Sequence, residues 1–176
     1  MNYLDRFRIN FGSLPIGEHE FEFEIDDKFF EQFENSPVQR GFFDVLVTVN
    51  KQEHILLFDF TIEGSIVTQC DRCGEDMDVE TNGYNELTVK FGEEMGEVDA
   101  DVIIISPKEH ELNVAQFIYE YIALMMPLRR VHENDENGNS TCNPETINKL
   151  ESLLLHEEEA KPADPRWEIL KKINLN

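Results

Sequence analysis

The sequence predicts an α+β fold: an antiparallel sheet, curled toward a barrel, followed by C-terminal helices. Three observations predict it. Apolar and polar residues alternate with a period of two over most of the first 110 positions, and helical spacing takes over afterwards. The strands come first and the helices after, whereas a wound parallel sheet would interleave them. A sheet of roughly three to six strands fits the pattern. With 176 residues the chain has the ordinary size of one domain, mainly β over 1–110 and mainly helical over 111–176.

Each element has its own signal. Phe7, Ile9 and Phe11 alternate with Arg8 and Asn10, which predicts a first strand. Glu20, Glu22 and Glu24 alternate with Phe21, Phe23 and Ile25, which puts aromatics on one face and carboxylates on the other. Residues 26–33 fit a helical turn with Phe29, Phe30 and Phe33 on one side, and Ser36-Pro37 marks a loop. Two long strands are expected at 42–50 and 54–68, joined at Lys51-Gln52-Glu53, with Gly64 marking a bend or bulge. Residues 77–91 read as a hairpin or bent strand that turns at Thr81-Asn82-Gly83. An acidic loop over 92–101 and a short buried strand over 102–105 follow.

Asn113, with Gln116 three residues on, reads as a capping box that opens a helix. Val114, Phe117, Ile118, Tyr121, Ile122 and Met125 form its apolar stripe, and Pro127 stops it. A polar loop over 128–143 leads to Asn143-Pro144, a cap followed by proline at the first helical position. Ile147, Leu150, Leu153 and Leu154 line that helix. A solvated linker over 157–162 and a last short helix from Asp164-Pro165, anchored by Trp167, Leu170 and Ile173, complete the reading.

The net charge is −22, and it divides as −7, −10 and −5 over residues 1–60, 61–110 and 111–176. No stretch is basic on average. Nucleic-acid binding draws on lysine and arginine neutralising phosphate. Any RNA contact therefore needs a local basic patch against the global field, and a basic protein is the easier partner. No run approaches the ~20 apolar residues that span a bilayer, so no membrane role is expected. No basic region followed by an apolar core stands at the start, and three cysteines suit no simple disulfide framework. A reduced, cytoplasmic setting is the expectation.

Cys70-Asp71-Arg72-Cys73 is the densest chemical signal. Two thiolates at this spacing form half of a common zinc pattern. The polar loop between the two large helices offers His132 and Cys142, with nine residues between them, so the full set would be Cys70, Cys73, His132 and Cys142. Metal–ligand bonds would offset the closure entropy of joining a strand end to that loop across fifty-eight intervening residues. Two other readings stay open: a redox pair, which belongs at a helix start in a βαβ context, and a pair with no metal. A metal-dependent hydrolase or thiol oxidoreductase is the enzymatic alternative. The chain carries no Glu at a fixed helical offset from ligands, no phosphate-cradling glycine loop and no nucleophile elbow, so no catalytic residue is assigned.

The strand that runs from Gly64 into Cys70-Asp71-Arg72-Cys73 resembles the YceD family. The opening Leu14-Pro15-Ile16-Gly17-Glu18-His19-Glu20-Phe21 is similar to the family's Leu-x-x-Gly-x-x-x-Phe. The helix end Leu124-Met125-Met126-Pro127-Leu128 and the closing Asp164-Pro165-Arg166-Trp167-Glu168-Ile169-Leu170 agree as well. The sequence departs from many members, which place several cysteines after the Pro-Leu segment, where this chain offers His132 and Cys142. The resemblance implies accumulation or processing of large-subunit ribosomal RNA. It implies metal binding but no mechanism; the leading expectation is a noncatalytic ribosome-biogenesis factor that binds a ribosomal protein or precursor particle, with zinc as the candidate cofactor. Were the cysteine pair and the His132 loop to meet, Arg72, Arg129 and Arg130 would gather beside them as a patch for RNA or a partner; the other reading pairs these arginines with nearby carboxylates such as Asp71 and Glu133. The alternative is an acidic module that shields a basic ribosomal protein and makes no RNA contact.

Overall fold

The computed structural model describes residues 2–99 and 101–153. Leu154, the linker over 157–162 and the expected last helix with Trp167 lie outside the described residues. The chain divides into two compact units, the first ending at Val131 and the second beginning at His132.

The first unit is built on one open sheet of six strands. Its strands are β2 (Gly17–Ile25), β3 (Arg40–Lys51), β4 (Ile55–Gln69), β5 (Asp76–Phe91), β6 (Gly96–Asp99) and β7 (Val102–Ile105). The order is β2-β3-β4-β5-β7-β6. All neighbours are antiparallel except β5 and β7, which run parallel. β2 and β6 are the two edges, so the sheet is mixed α+β architecture as expected but does not close into a barrel. A separate two-stranded pairing joins β1 (Arg8–Ile9) to β8 (Leu112–Asn113).

Strict alternation gives the sheet two unlike faces. Phe43, Val45, Val47 and Val49 of β3 and Leu56, Phe58, Phe60 and Ile62 of β4 are buried on one side. A lid covers that side. It consists of Phe7, Phe11, the single turn α1 (Asp27–Phe30) and the helix α2 (Ala115–Leu124). Phenylalanines dominate the contact: the Phe29 ring lies 5.0 Å from Phe7, 5.5 Å from Phe30 and 5.2 Å from Phe33. Phe33 stacks on Tyr119 of α2 at 3.9 Å, and Tyr121 meets Phe60 edge-on at 5.2 Å. Each such ring, taken fully out of water, stabilises the fold by about 2–3 kcal/mol before entropy. Among the described residues no element covers the other side of the sheet, and β2 sends Glu18, Glu20, Glu22 and Glu24 to it as exposed residues.

Several expectations require correction. The expected strand over Phe7–Phe11 is two residues long. A 3-10 helix (Tyr3–Phe7) precedes it and another (Phe11–Ser13) follows, because Asn2 and Asn10 side chains cap those turns. Gly64 sits in an unbroken ladder, with no bulge. A Cβ there would lie 2.1 Å from the Phe42 carbonyl oxygen and 2.7 Å from Phe43 Cα, so glycine is kept for close approach of the neighbouring backbone. Thr81-Asn82-Gly83 is no turn: β5 pairs with β4 in continuous register through all three. The turn lies at the cysteines. The acidic loop over 92–101 contains the edge strand β6. Asn113 does not close a capping box. Its Oδ1 accepts from the Ala115 amide at 2.9 Å, while Gln116 donates onward to Glu120 at 2.7 Å.

The second unit opens with a loop and continues as α3 (Pro144–Leu153). Asn143 caps it as the sequence predicts, its Oδ1 accepting from Glu145 N at 2.9 Å and Thr146 N at 3.2 Å.

Candidate metal centre

The β4–β5 connection is a tight knuckle. The Cys70 amide donates to the Glu75 carbonyl at 2.8 Å, and the Gly74 amide to the Cys70 carbonyl at 2.9 Å. Gly74 takes φ +76, a left-handed conformation that costs a side chain but not glycine. The turn puts both thiols at the hairpin tip. Both are free of disulfides, Cys70 buried and Cys73 half-buried. The flanks are strands, so the pair lacks the helix N-terminus that lowers a redox thiol's pKa in βαβ proteins.

An arginine holds the knuckle to the segment that leaves α2. The Asp71 amide donates to the Arg130 carbonyl at 2.6 Å, and the Arg130 amide donates back to Asp71 Oδ2 at 2.8 Å. The Arg130 guanidinium completes the contact at Asp71 Oδ1, 3.0 Å away, and reaches Thr68 Oγ1 at 3.4 Å. Those hydrogen bonds to the charged carboxylate, the Arg130 amide first, hold the Asp71 carboxyl below its usual range against partial desolvation. The clamp sets Arg72 and Arg129, both exposed, next in chain to its two halves. Of the predicted arginine trio, Arg130 is thus engaged with Asp71.

The loop that opens the second unit makes its own pair. Asn134 bridges Ser140 in antiparallel fashion. Asp135 ties the loop together although it is exposed, its carboxylate accepting from the amides of Asn137 at 2.9 Å and Asn139 at 2.7 Å and from Asn139 Nδ2 at 3.0 Å. These bonds, those to Asn139 foremost, keep the Asp135 carboxyl below its usual range. Gly138 supplies the left-handed turn at φ +84, and Thr141 donates to the Glu133 carbonyl. The strand-like closure carries His132 Nδ1 to 3.8 Å from Cys142 Sγ, with Cys142 buried. Two ligands on a tetrahedral zinc, at ~2.3 Å for sulfur and ~2.05 Å for nitrogen, stand ~3.6 Å apart. The His132–Cys142 separation fits that edge.

Sequence reasoning offered Asp71, with Glu133, as a carboxylate for these arginines to pair with, and the Arg130–Asp71 ion pair bears that out, but it missed the backbone bonds that make the pair a clamp. Arg130 and Asp71 lie fifty-nine positions apart, and nothing in their spacing pairs them. An Asp inside the knuckle and two arginines after the α2 stop are the nearest signal. Among the described residues, no helix is long and apolar enough to cross a membrane.

An open sheet whose longest hairpin ends in a clamped thiol pair defines a β-scaffold protein with side chains at that hairpin tip that could ligate a metal. Residues 58–174 match the model of the family described as large ribosomal RNA subunit accumulation protein YceD, and the chain belongs to that family. No match was found among curated proteins or among solved structures.

Proposed function

We propose that this protein is a noncatalytic, cytoplasmic ribosome-biogenesis factor that promotes accumulation of large-subunit ribosomal RNA by binding a ribosomal protein or a precursor particle. The family match over two thirds of the chain carries the reading. In this reading Cys70, Cys73, His132 and Cys142 together hold one structural zinc ion. Chain connectivity supports that grouping. Arg130 is fixed to Asp71 inside the knuckle, and His132 follows two residues later, a reach of at most ~7 Å for an extended chain. A zinc ion bound there would fix the His132 loop by ligand bonds and hold Arg72 and Arg129 at a constant spacing for a partner or for phosphate.

The test joins metal content to cellular RNA. Tag-free protein is expected to carry about one zinc per chain, lost in Cys142→Ser and in His132→Ala. Cells depleted of the protein should lose large-subunit RNA and regain it with the wild-type chain but not with Cys73→Ser. Metal-free wild-type protein, freshly reduced, would sink the zinc assignment. Unchanged RNA levels after depletion would sink the role itself.

A further inference from the structure

The open side of the sheet carries charge that no fold requires. In one register row Glu24 stands opposite Asp44, which stands opposite Glu63. In the row four residues along β4, Asp59 stands opposite Glu86. Like charges directly opposite across strands are destabilising, and threonine, serine or lysine would serve an exposed strand face without that cost. Of the sheet strands, basic side chains reach this side at Arg40, which is tied to Asp76, and at Lys90 near the end of β5. Aromatics stand in the same field. Phe42 is 53% exposed and Tyr84 59% exposed. The Tyr84 hydroxyl lies 3.0 Å from Asp59 Oδ1 and 3.1 Å from Glu86 Oε1, so its single proton is shared between two carboxylates of this face. A groove lined by Arg6, Glu22, Glu24, Asp44, Leu46 and Glu63 runs across it.

We infer that this open face of β2–β5 is a docking surface for a lysine- and arginine-rich polypeptide segment. The inference rests on the functional reading above and adds to it the surface and the chemistry of the partner. Carboxylate rows at strand spacing, ~4.8 Å apart, offer repeated seats for ammonium and guanidinium groups. Exposed Phe42 and Tyr84 rings among them accept cations on their faces. The same field repels phosphate, so RNA is the wrong occupant of this face. A second copy of the chain, with the same charge, is equally unsuited. Tail segments of basic proteins have the required composition, and the acid face would shield their charge until assembly.

A fluorescein-labelled synthetic peptide of alternating Lys/Arg and Leu, titrated with the full chain, tests the idea. One variant carries Glu24→Gln, Asp44→Asn and Glu63→Gln. A control carries Glu93→Gln, Glu94→Gln and Glu109→Gln, exposed acids off this face, with the same change in net charge. The face variant relieves like-charge contacts, so it keeps its fold, which circular dichroism confirms. We expect the face variant to bind about tenfold more weakly and the control to stay within about twofold of wild type. Wild-type binding should weaken between about 50 mM and about 300 mM salt. Equal weakening in both variants, or none in the face variant, would overturn the surface. So would binding of a ribosomal RNA fragment that the face variant abolishes. Cellular RNA levels report on the biogenesis role and the peptide titration on the face, so either can fail alone.

Discussion

Asp71 and Arg130 are joined through backbone and side chain at once: amide to carbonyl at 2.6 Å, amide to carboxylate at 2.8 Å and guanidinium to carboxylate at 3.0 Å. Residues fifty-nine positions apart are thereby fixed within one small knot beside Cys70 and Cys73. An exposed ion pair alone contributes little, but the two backbone bonds set the position of the chain whatever the salt.

The depressed Asp71 carboxyl gives this knot a pH signature. The folded pKa lies below the unfolded value, so the stabilisation is present above about 3.9 and is lost as pH falls through the lower folded value. The carboxyl carbon of Asp71, followed by NMR, should still report the ionised form where an ordinary Asp is half protonated. In Asp71→Asn the Arg130 amide should exchange with solvent about tenfold faster. A midpoint at the ordinary aspartate value would show that the bonds to Arg130 do not persist in solution.

Two glycines on the central hairpin should respond differently to alanine. At Gly64 the added carbon meets backbone, the Phe42 carbonyl oxygen at 2.1 Å and Phe43 Cα at 2.7 Å. At Gly83 it meets Met125 Sδ at 2.7 Å, the far end of a flexible side chain. Urea unfolding should give a loss of about 2–3 kcal/mol for Gly64→Ala and less than about 1 kcal/mol for Gly83→Ala. Equal losses would mean that β3 and β4 are not as close at Phe42 as described.

Tyr84 should titrate late. Its hydrogen bond to Asp59, then partial desolvation and the bond to Glu86, push its phenol up to about 12. A raised acid pKa means the folded state holds the proton more tightly, so this contribution is present below about 10 and fades as pH rises through about 12. Tyr121 also lies at about 12, chiefly through burial. Ultraviolet titration of phenolate should show one fewer late-titrating group in Tyr84→Phe. In Asp59→Asn the Tyr84 midpoint should move back toward 10, and an unmoved midpoint would remove Asp59 as the cause.

The strands most visible in the sequence were those with two unlike faces. Glu20, Phe21, Glu22 and Phe23 declare β2, and valines at 45, 47 and 49 declare β3, because alternation is a local property. The cap at Asn143 was legible for the same reason. What escaped was non-local. Gly64 and Gly83 read as breaks, yet each answers to a neighbour brought close by pairing, Phe42 in one case and Met125 in the other. The true turn hid in Cys70–Gly74, whose residues announce metal chemistry more loudly than reversal. Within the candidate site, the thiols, the imidazole and the arginines were named from residue type and spacing. Asp71 was named beside Glu133 as a carboxylate for the arginines to pair with, and it engages Arg130; the two backbone bonds that make the pair a clamp leave no trace in residue type or spacing.

The four glutamates of β2 also bear on how the chain folds correctly. Because side chains alternate with a period of two, pairing β2 against β3 one residue out of step would turn Glu18, Glu20, Glu22 and Glu24 into the phenylalanine-filled side and push Phe21 and Phe23 into water. Such a slip would bury charges without partners, so it is rejected before it can mature. β2 is also an edge, where unpaired amides invite strands from other molecules. Its ladder of negative charge makes two copies poor templates for each other, so the strand proofreads its own register and guards the sheet against polymerising.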